Sequence, residues 1–236
     1  LRSYTHLGTG NYHARNARLY TDFGLLTCDA AIGRDVRTVF QQLTSLGQPG
    51  RLKHLLQSPF TLHTTLLKWI ARETDRARQG KPAHIIAKMN ALLEPQIIRA
   101  LYKASQAGVK IDLIVRGPCA LRPGIAGLSE HIRVRSIIGR FLEHSRIFYF
   151  LNDGDDRVFL SSADWMDRNF FRRIEVAFPV LDPVLRRRLI DEGLRPYLED
   201  NTHAWILHRD GTYKRQTPGR GAARSAQQWL MNRLVT

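Results

Sequence analysis

The 236-residue chain reads as a mixed α/β fold, an α+β arrangement of mixed sheets in two related lobes of which the first is incomplete. Three observations carry that reading. The first is a central hairpin. The apolar runs Ile147-Phe148-Tyr149-Phe150 and Val158-Phe159-Leu160 flank the polar cluster Asn152-Asp153-Gly154-Asp155-Asp156, and two β-rich runs joined by Asn, Asp and Gly form a hairpin. The second is a repeat. Leu7-Gly8-Thr9-Gly10-Asn11-Tyr12 lies over Leu160-Ser161-Ser162-Ala163-Asp164-Trp165 without a gap. In the same register Arg15-Asn16 meets Arg168-Asn169, Asp22 meets Glu175, Phe23-Gly24-Leu25 meets Val176-Ala177-Phe178, and Asp29 meets Asp182. Such repetition predicts two lobes about a pseudo-twofold axis. The third is a β-α-β-α-β order between residues 54 and 115, which favours a mixed sheet with helices on its faces.

Taken in order, residues 2–27 predict a strand, a Gly-rich loop and a second strand. Asp29 can cap a helix from Ala30 to Leu46, with Val36, Val39, Phe40 and Leu43 at helical spacing. Gly47-Gln48-Pro49-Gly50 stops it. His54-Leu55-Leu56-Gln57 predicts a short strand, and Ser58-Pro59 opens an amphipathic helix with Leu62, Leu66, Trp69 and Ile70 on one face. Gly80-Lys81-Pro82 ends it. Ile85 to Lys88 is a strand, Glu94-Pro95 starts a helix that ends near Gly108, and Val109 to Val115 is a strand delivering Arg116-Gly117. A Pro/Gly loop over 118–130 precedes a strand from Ile132 to Ile138. Asp182-Pro183 caps a basic helix running to Leu198; strands over Ala204–Arg209 and Thr212–Arg215 lead to a last helix, Ala222–Leu234.

The hairpin brings His144 and Arg146 toward Ser161 and Ser162. Residues two apart on a strand share a face, so an imidazole and a fixed cation converge on small hydroxyls, a plausible phosphate site. The first copy of the repeat should have its own upstream His-x-Arg, which places residue 1 inside a domain. In the first copy Gly8-Thr9-Gly10-Asn11 lets backbone approach an anion closely. The net charge of +15 favours a polyanionic partner, nucleic acid or polyphosphate. Cys28 and Cys119 form neither a disulfide framework nor a zinc spacing, so reduced thiols in a cytoplasmic setting are expected. No apolar run reaches the length of a membrane-spanning helix.

Five stretches resemble the bacterial polyphosphate kinase family, in its order and across most of the chain. They are Thr5-His6-Leu7-Gly8-Thr9-Gly10-Asn11-Tyr12 with Ala17-Arg18-Leu19-Tyr20-Thr21-Asp22, Leu113-Ile114-Val115-Arg116-Gly117, Phe141-Leu142-Glu143-His144, and Leu160-Ser161-Ser162-Ala163-Asp164-Trp165-Met166. The resemblance covers the C-terminal portion of that enzyme, which is built of two phospholipase D-like domains. It implies that residues 1–54 are the C-terminal part of the first such domain and residues 55–236 the second. It implies reversible transfer of the terminal phosphate of ATP to inorganic polyphosphate, through a phosphohistidine expected upstream of residue 1.

By the same resemblance His144 is a catalytic acid or base that contacts nucleotide, and Arg116 and Tyr20 bind ATP. Gly8, Thr9, Gly10, Asn11, Arg146, Ser161 and Ser162 support the phosphate site. ATP and ADP are the nucleotide substrates, magnesium is expected with its ligand positions upstream, and no metal ligand is assigned here. The resemblance also implies a homo-oligomer for the full-length enzyme, peripheral inner-membrane association at most, and no nucleic acid as specific partner. The chain taken alone is expected to be inactive. His6, on the strand beside the loop, reads as structural or supporting. Arg146 replaces the lysine usual in phospholipase D signatures, and Asp164 stands where Asn is usual. Two rival functions are a phosphodiesterase of the phospholipase D superfamily, which would need paired His-x-Lys motifs, and a non-catalytic polyanion-binding fragment.

Overall fold

The computed structural model describes residues 2–44 and 50–234. The first lobe is a two-stranded antiparallel pair, β1 (Thr5–Gly8) with β3 (Gly24–Thr27), followed by α1 (Ala30–Thr44). Asp29 caps α1 as its sequence position predicts, accepting from the backbone N–H of Ala31 and Ile32 at 2.8 Å each. The end expected at Leu46 and the Gly47–Pro49 stop lie outside the described residues.

The second lobe is organised on a nine-stranded sheet. Its strands in chain order are β4 (Leu56–Gln57), β5 (His84–Met89), β6 (Lys110–Val115), β7 (Ile132–Ile137), β9 (Arg146–Phe150), β10 (Arg157–Ser161), β11 (Val176–Pro179), β12 (Ala204–Leu207) and β13 (Tyr213–Arg215). They lie in the spatial order β13-β12-β7-β6-β5-β9-β10-β11-β4. β5, β6 and β7 run parallel, and the remaining pairs are antiparallel. β9 and β10 form the expected hairpin, with Arg146 opposite Ser161. A short parallel pair, β2 (Tyr20–Thr21) with β8 (Leu142–Glu143), stitches the two lobes together.

Each face of the sheet is covered. Helices α2 (Leu62–Arg78) and α3 (Pro95–Gln106) bury Leu62, Leu66, Ile70, Ile97 and Leu101 against Ile85, Leu113, Phe148 and Trp165 on one face. On the other face Ile86, Ile114, Ile147 and Leu160 pack with Leu7, Ile32 and Val39 of the first lobe. The lobes therefore share a core, and removing this apolar surface from water favours their association. A polar clamp ties α1 to the segment that leads into the second lobe. The buried Asp35 carboxylate on α1 accepts from three successive backbone N–H groups, those of Lys53, His54 and Leu55, at 2.9, 2.6 and 2.9 Å.

The repeat seen in sequence recurs in the hydrogen bonding. Leu7 pairs with Leu25 and Gly8 with Gly24 in the first lobe; Leu160 pairs with Phe178 and Ser161 with Ala177 in the second. Thr9 N–H donates to Phe23 O, and Ser162 N–H to Val176 O, both at 3.0 Å. Asp182 caps α4 (Pro183–Gly193) as Asp29 caps α1.

The strands expected over His54–Gln57 and Ala204–Arg209 are shorter, Leu56–Gln57 and Ala204–Leu207, and three helix boundaries move. α2 begins at Leu62, not at Ser58-Pro59, because Thr61 closes a turn first: its N–H donates to Gln57 O at 2.7 Å and its hydroxyl accepts from Gln57 N–H at 3.0 Å. The basic helix expected to reach Leu198 breaks at Leu194 into α4 and α5 (Arg195–Glu199). Pro196 has no N–H to offer the carbonyl four residues back, and its ring crowds the preceding turn. The last helix, α6, spans Ala226–Leu234, starting where the buried Asp200 carboxylate accepts from Ala226 N–H at 2.8 Å.

Candidate functional site

The cleft that unites most of the sequence-predicted residues opens at the C-terminal ends of β5 and β6, where parallel strands release their chains and ligands commonly bind. Asn90 follows β5 and Arg116 follows β6, while His144 sits between β8 and β9. The cleft encloses about 430 Å³, and its walls include Thr9, Asn11, Tyr20, Asn90, Arg116, His144, Arg146, Ser162, Asp164, Arg168, Arg173 and Glu175. Residues of both copies of the repeat thus face one space.

His144 is held across the lobe boundary. Its Nδ1 lies 3.0 and 2.9 Å from the two carboxylate oxygens of Asp22. A carboxylate only accepts, so Nδ1 carries a proton, and in the neutral imidazole it is Nε2 that keeps a lone pair. Asp22 is fixed in turn by the Thr9 hydroxyl, which donates to Oδ1 at 2.6 Å. The Tyr20 ring flanks the imidazole, with ring centroids 4.9 Å apart.

Arg146 is buried beneath the imidazole and spent internally. Its Nε and one terminal nitrogen donate to the two oxygens of Asp164 at 3.1 and 3.0 Å, a forked pair. The other terminal nitrogen donates to Thr9 O at 3.0 Å and His144 O at 2.9 Å. That nitrogen also lies 3.3 and 3.0 Å from the two ring nitrogens of His144. With both its N–H groups taken by carbonyls and nearly equal distances to the two ring nitrogens, the contact is a cation laid against the ring rather than a bond to Nε2. The fixed positive charge bears on the imidazole without consuming its free nitrogen.

Asn90 is the joint of the site. Its side-chain N–H₂ donates to His144 O at 3.1 Å and to Asp164 at 3.2 Å, its backbone N–H donates to Asp164 at 2.7 Å, and its Oδ1 accepts from Arg116 Nε at 2.8 Å. Arg116 is thereby aimed from one edge, and among the described residues no carboxylate pairs with its two terminal nitrogens. Arg168 and Arg173 bring further positive charge to the same wall.

The remaining predicted residues have local duties. Ser162 faces the cleft and donates to Glu175, which also accepts from Asn169 at 2.7 Å. Ser161 is fully buried, its hydroxyl donating to Val176 O and accepting from Ala163 N–H, each at 3.0 Å. Gly8 ends β1, and Gly10 lies behind the cleft wall against Asp22. His6 is exposed and shares a hydrogen bond with the Tyr12 hydroxyl at 2.8 Å. Asp22, Asn90, Asp164, Arg168, Arg173 and Glu175 line or support the cleft but were not assigned to the site from sequence, although the gapless repeat that lays Asp22 over Glu175 and Arg15 over Arg168 was the available signal.

The residues present do not fit a magnesium ion. Among the described residues no group of three His, Cys, Asp or Glu side chains is placed to hold a metal. The cleft carboxylates are already engaged: Asp22 by His144, Asp164 by Arg146 and Glu175 by Ser162.

A carboxylate-held imidazole beside several arginines, in a half-enclosed cleft, defines a protein suited to phosphate chemistry, where fixed donors stabilise charge on oxygen. Comparison with known proteins names the family. The model of polyphosphate kinase C-terminal domain 2 matches residues 55–228, and that of C-terminal domain 1 matches residues 1–49. The chain belongs to the polyphosphate kinase C-terminal domain family. It is 61% identical over 236 residues to the polyphosphate kinase of Paraburkholderia phytofirmans, covering all of this chain and 34% of that protein. It is 61% identical over 221 residues to that of Neisseria meningitidis serogroup B, covering 94% of this chain and 32% of that protein. The crystal structure of polyphosphate kinase from Porphyromonas gingivalis superposes with a TM-score of 0.94 at 39% identity, over 99% of this chain and 36% of that one. The chain thus spans about a third of the length of the relatives it matches.

Proposed function

We propose that this chain forms part of a polyphosphate kinase that reversibly transfers the terminal phosphoryl group of ATP to inorganic polyphosphate, with His144 acting on the transferring group as acid, base or charge stabiliser. The observation that supports it most is the Asp22–His144 pair, which orients the imidazole through Nδ1 in a cleft walled by Arg116, Arg168 and Arg173. Phosphoryl transfer is chiefly positioning and charge stabilisation. The neutral imidazole can take a proton from an attacking oxygen at Nε2, and the imidazolium, steadied by Asp22, can give one to a leaving oxygen or offset negative charge. Arg116 can span two phosphate oxygens with its free fork edge, and Tyr20 offers a ring beside the nucleotide.

In this reading residues 1–54 close a first phospholipase D-like domain and residues 55–236 form a second, so the site lies between domains. Thr9, Asn11 and Ser162 present polar groups to the phosphates, while Arg146 acts from below through the imidazole. A cytoplasmic setting goes with this reading: both cysteines are free thiols, and no helix among the described residues is long and apolar enough to cross a membrane. A phosphodiesterase fits less well, because the Arg146 guanidinium is committed to Asp164 and two carbonyls rather than offered to a diester.

The test is His144→Ala in the full-length natural chain. ATP-dependent polyphosphate synthesis should fall by about a hundredfold or more, with the unfolding transition nearly unmoved. Near-normal synthesis would sink the assignment.

A further inference from the structure

We infer that Gln227, on the last helix, is a positioning residue for the Asp22–His144 pair, acting through the buried carboxylate of Glu143. This inference rests on the function proposed above for His144. Its basis is a polar cluster directly behind the cleft. Glu143 precedes His144 and Thr21 precedes Asp22, and Thr21 and Glu143 face each other in the parallel pair β2–β8. The Asp22–His144 contact is the next step of that pairing, so whatever fixes Thr21 against Glu143 sets the separation of the carboxylate and the imidazole.

The Glu143 side chain does the fixing. One of its oxygens accepts from Thr21 Oγ1 at 2.8 Å and from Lys88 Nζ at 2.7 Å; the other accepts from Gln227 Nε2 at 2.7 Å. All the side chains on this carboxylate except Thr21 are buried. Lys88 is seated by the Tyr197 ring, whose centroid lies 3.4 Å from Nζ. Burial pushes the Glu143 carboxyl upward, but the Lys88 charge and the three donors outweigh it and hold it below the usual carboxylate range. The group is therefore an ionised hub.

Gln227 is the only member of the hub on α6, and it grips the neighbouring backbone as well. Its Oε1 accepts from Phe141 N–H at 3.0 Å, and its Nε2 also donates to Phe141 O at 2.8 Å. Gly139 makes room for it, since a Cβ there would sit 2.5 Å from Gln227 Oε1. The amide thus behaves as a strand partner for the segment that ends at His144. A side chain 83 positions beyond His144, touching none of the cleft walls, sets the position of the imidazole.

The experiment uses the full-length chain with two variants, Gln227→Leu, which removes the amide, and Gly139→Ala, which keeps it but displaces it. kcat should fall by about tenfold to a hundredfold, as expected of a displacement near 1 Å at a reacting group, with KM for ATP within about threefold. In a His144→Ala background the same substitutions should cost less than about twofold, because the group they position is gone. The Nδ1–H proton of His144, recorded by NMR with labelled histidine, should lose its downfield hydrogen-bonded position in both variants. That signal requires no turnover, so it tests the positioning even if the chain makes no polyphosphate and the proposed function fails. An unmoved signal in folded protein, or equal kcat losses with and without His144, would overturn the inference.

Discussion

Gly10→Ala is a small substitution with a large expected effect, because of what lies next to it. A Cβ on residue 10 would stand 2.0 Å from Asp22 Oδ2, 2.3 Å from Cγ and 2.7 Å from Oδ1. Contacts under 3.0 Å are essentially unknown for a Cβ, so Asp22 must retreat by at least 1.0 Å. Oδ2 is also the oxygen that lies 2.9 Å from His144 Nδ1, so a move of that size disturbs the hydrogen bond to the imidazole. A hydrogen bond to a charged group is worth about 1.5–3 kcal/mol, which corresponds to about tenfold to 150-fold in rate if the whole bond serves the transition state. The backbone at Gly10 is not left-handed, so alanine adds no backbone strain there and the effect should centre on the Asp22 carboxylate. The assay is kcat for ATP-dependent polyphosphate synthesis by the full-length chain, beside its thermal midpoint and an Asp22→Asn reference. Gly10→Ala should resemble Asp22→Asn. Wild-type kcat in a folded Gly10→Ala protein would show that the Asp22 contact is not what glycine protects.

Two further outcomes follow from other contacts. Asp35→Ala strips three backbone N–H groups of their acceptor; unfolding free energy should fall by about 3 kcal/mol, a drop of about 6–12 °C in midpoint by scanning calorimetry, whereas a change under 1 °C would show the clamp to be idle. Arg116→Lys keeps the charge but loses the fork and the Nε bond to Asn90; ATP binding by titration calorimetry should weaken by about tenfold, the worth of one charge-assisted bond, and unchanged affinity would mean that Arg116 contributes only to a diffuse basic field.

What was legible in the sequence is what local chemistry writes locally. Asp29, Glu94 and Asp182 stand just before apolar-periodic segments, and each caps its helix. The hairpin declared itself because its turn residues and its β-rich flanks are contiguous. The split between α4 and α5 was also written, in Pro196, but the basic run around it masks the break. The glycine at position 10 was legible as a close approach, yet the anion that approaches is Asp22, twelve positions along and in the chain itself. Asn90 and Gln227 left no signal. A polar residue at the end of a strand or on a short helix is ordinary in sequence, and only the tertiary register brings Asn90 under His144 and Gln227 onto Glu143.

The repeat reaches further than architecture. In both lobes a loop hydroxyl donates to an acid, Thr9 to Asp22 and Ser162 to Glu175, and in both the acid precedes a strand of identical register. The two acids nevertheless serve different partners. Glu175 stays within its own lobe, on Asn169, while Asp22 crosses to His144 of the other. The imidazole of the second lobe is therefore oriented by the first, and neither lobe holds a finished site. This gives the Asp35 clamp and the shared apolar core a bearing on chemistry as well as on stability. A shift of one lobe by 1 Å against the other would part Asp22 from His144 before it exposed much apolar surface. Perturbations at the lobe boundary should accordingly reach turnover at smaller displacements than they reach the unfolding transition.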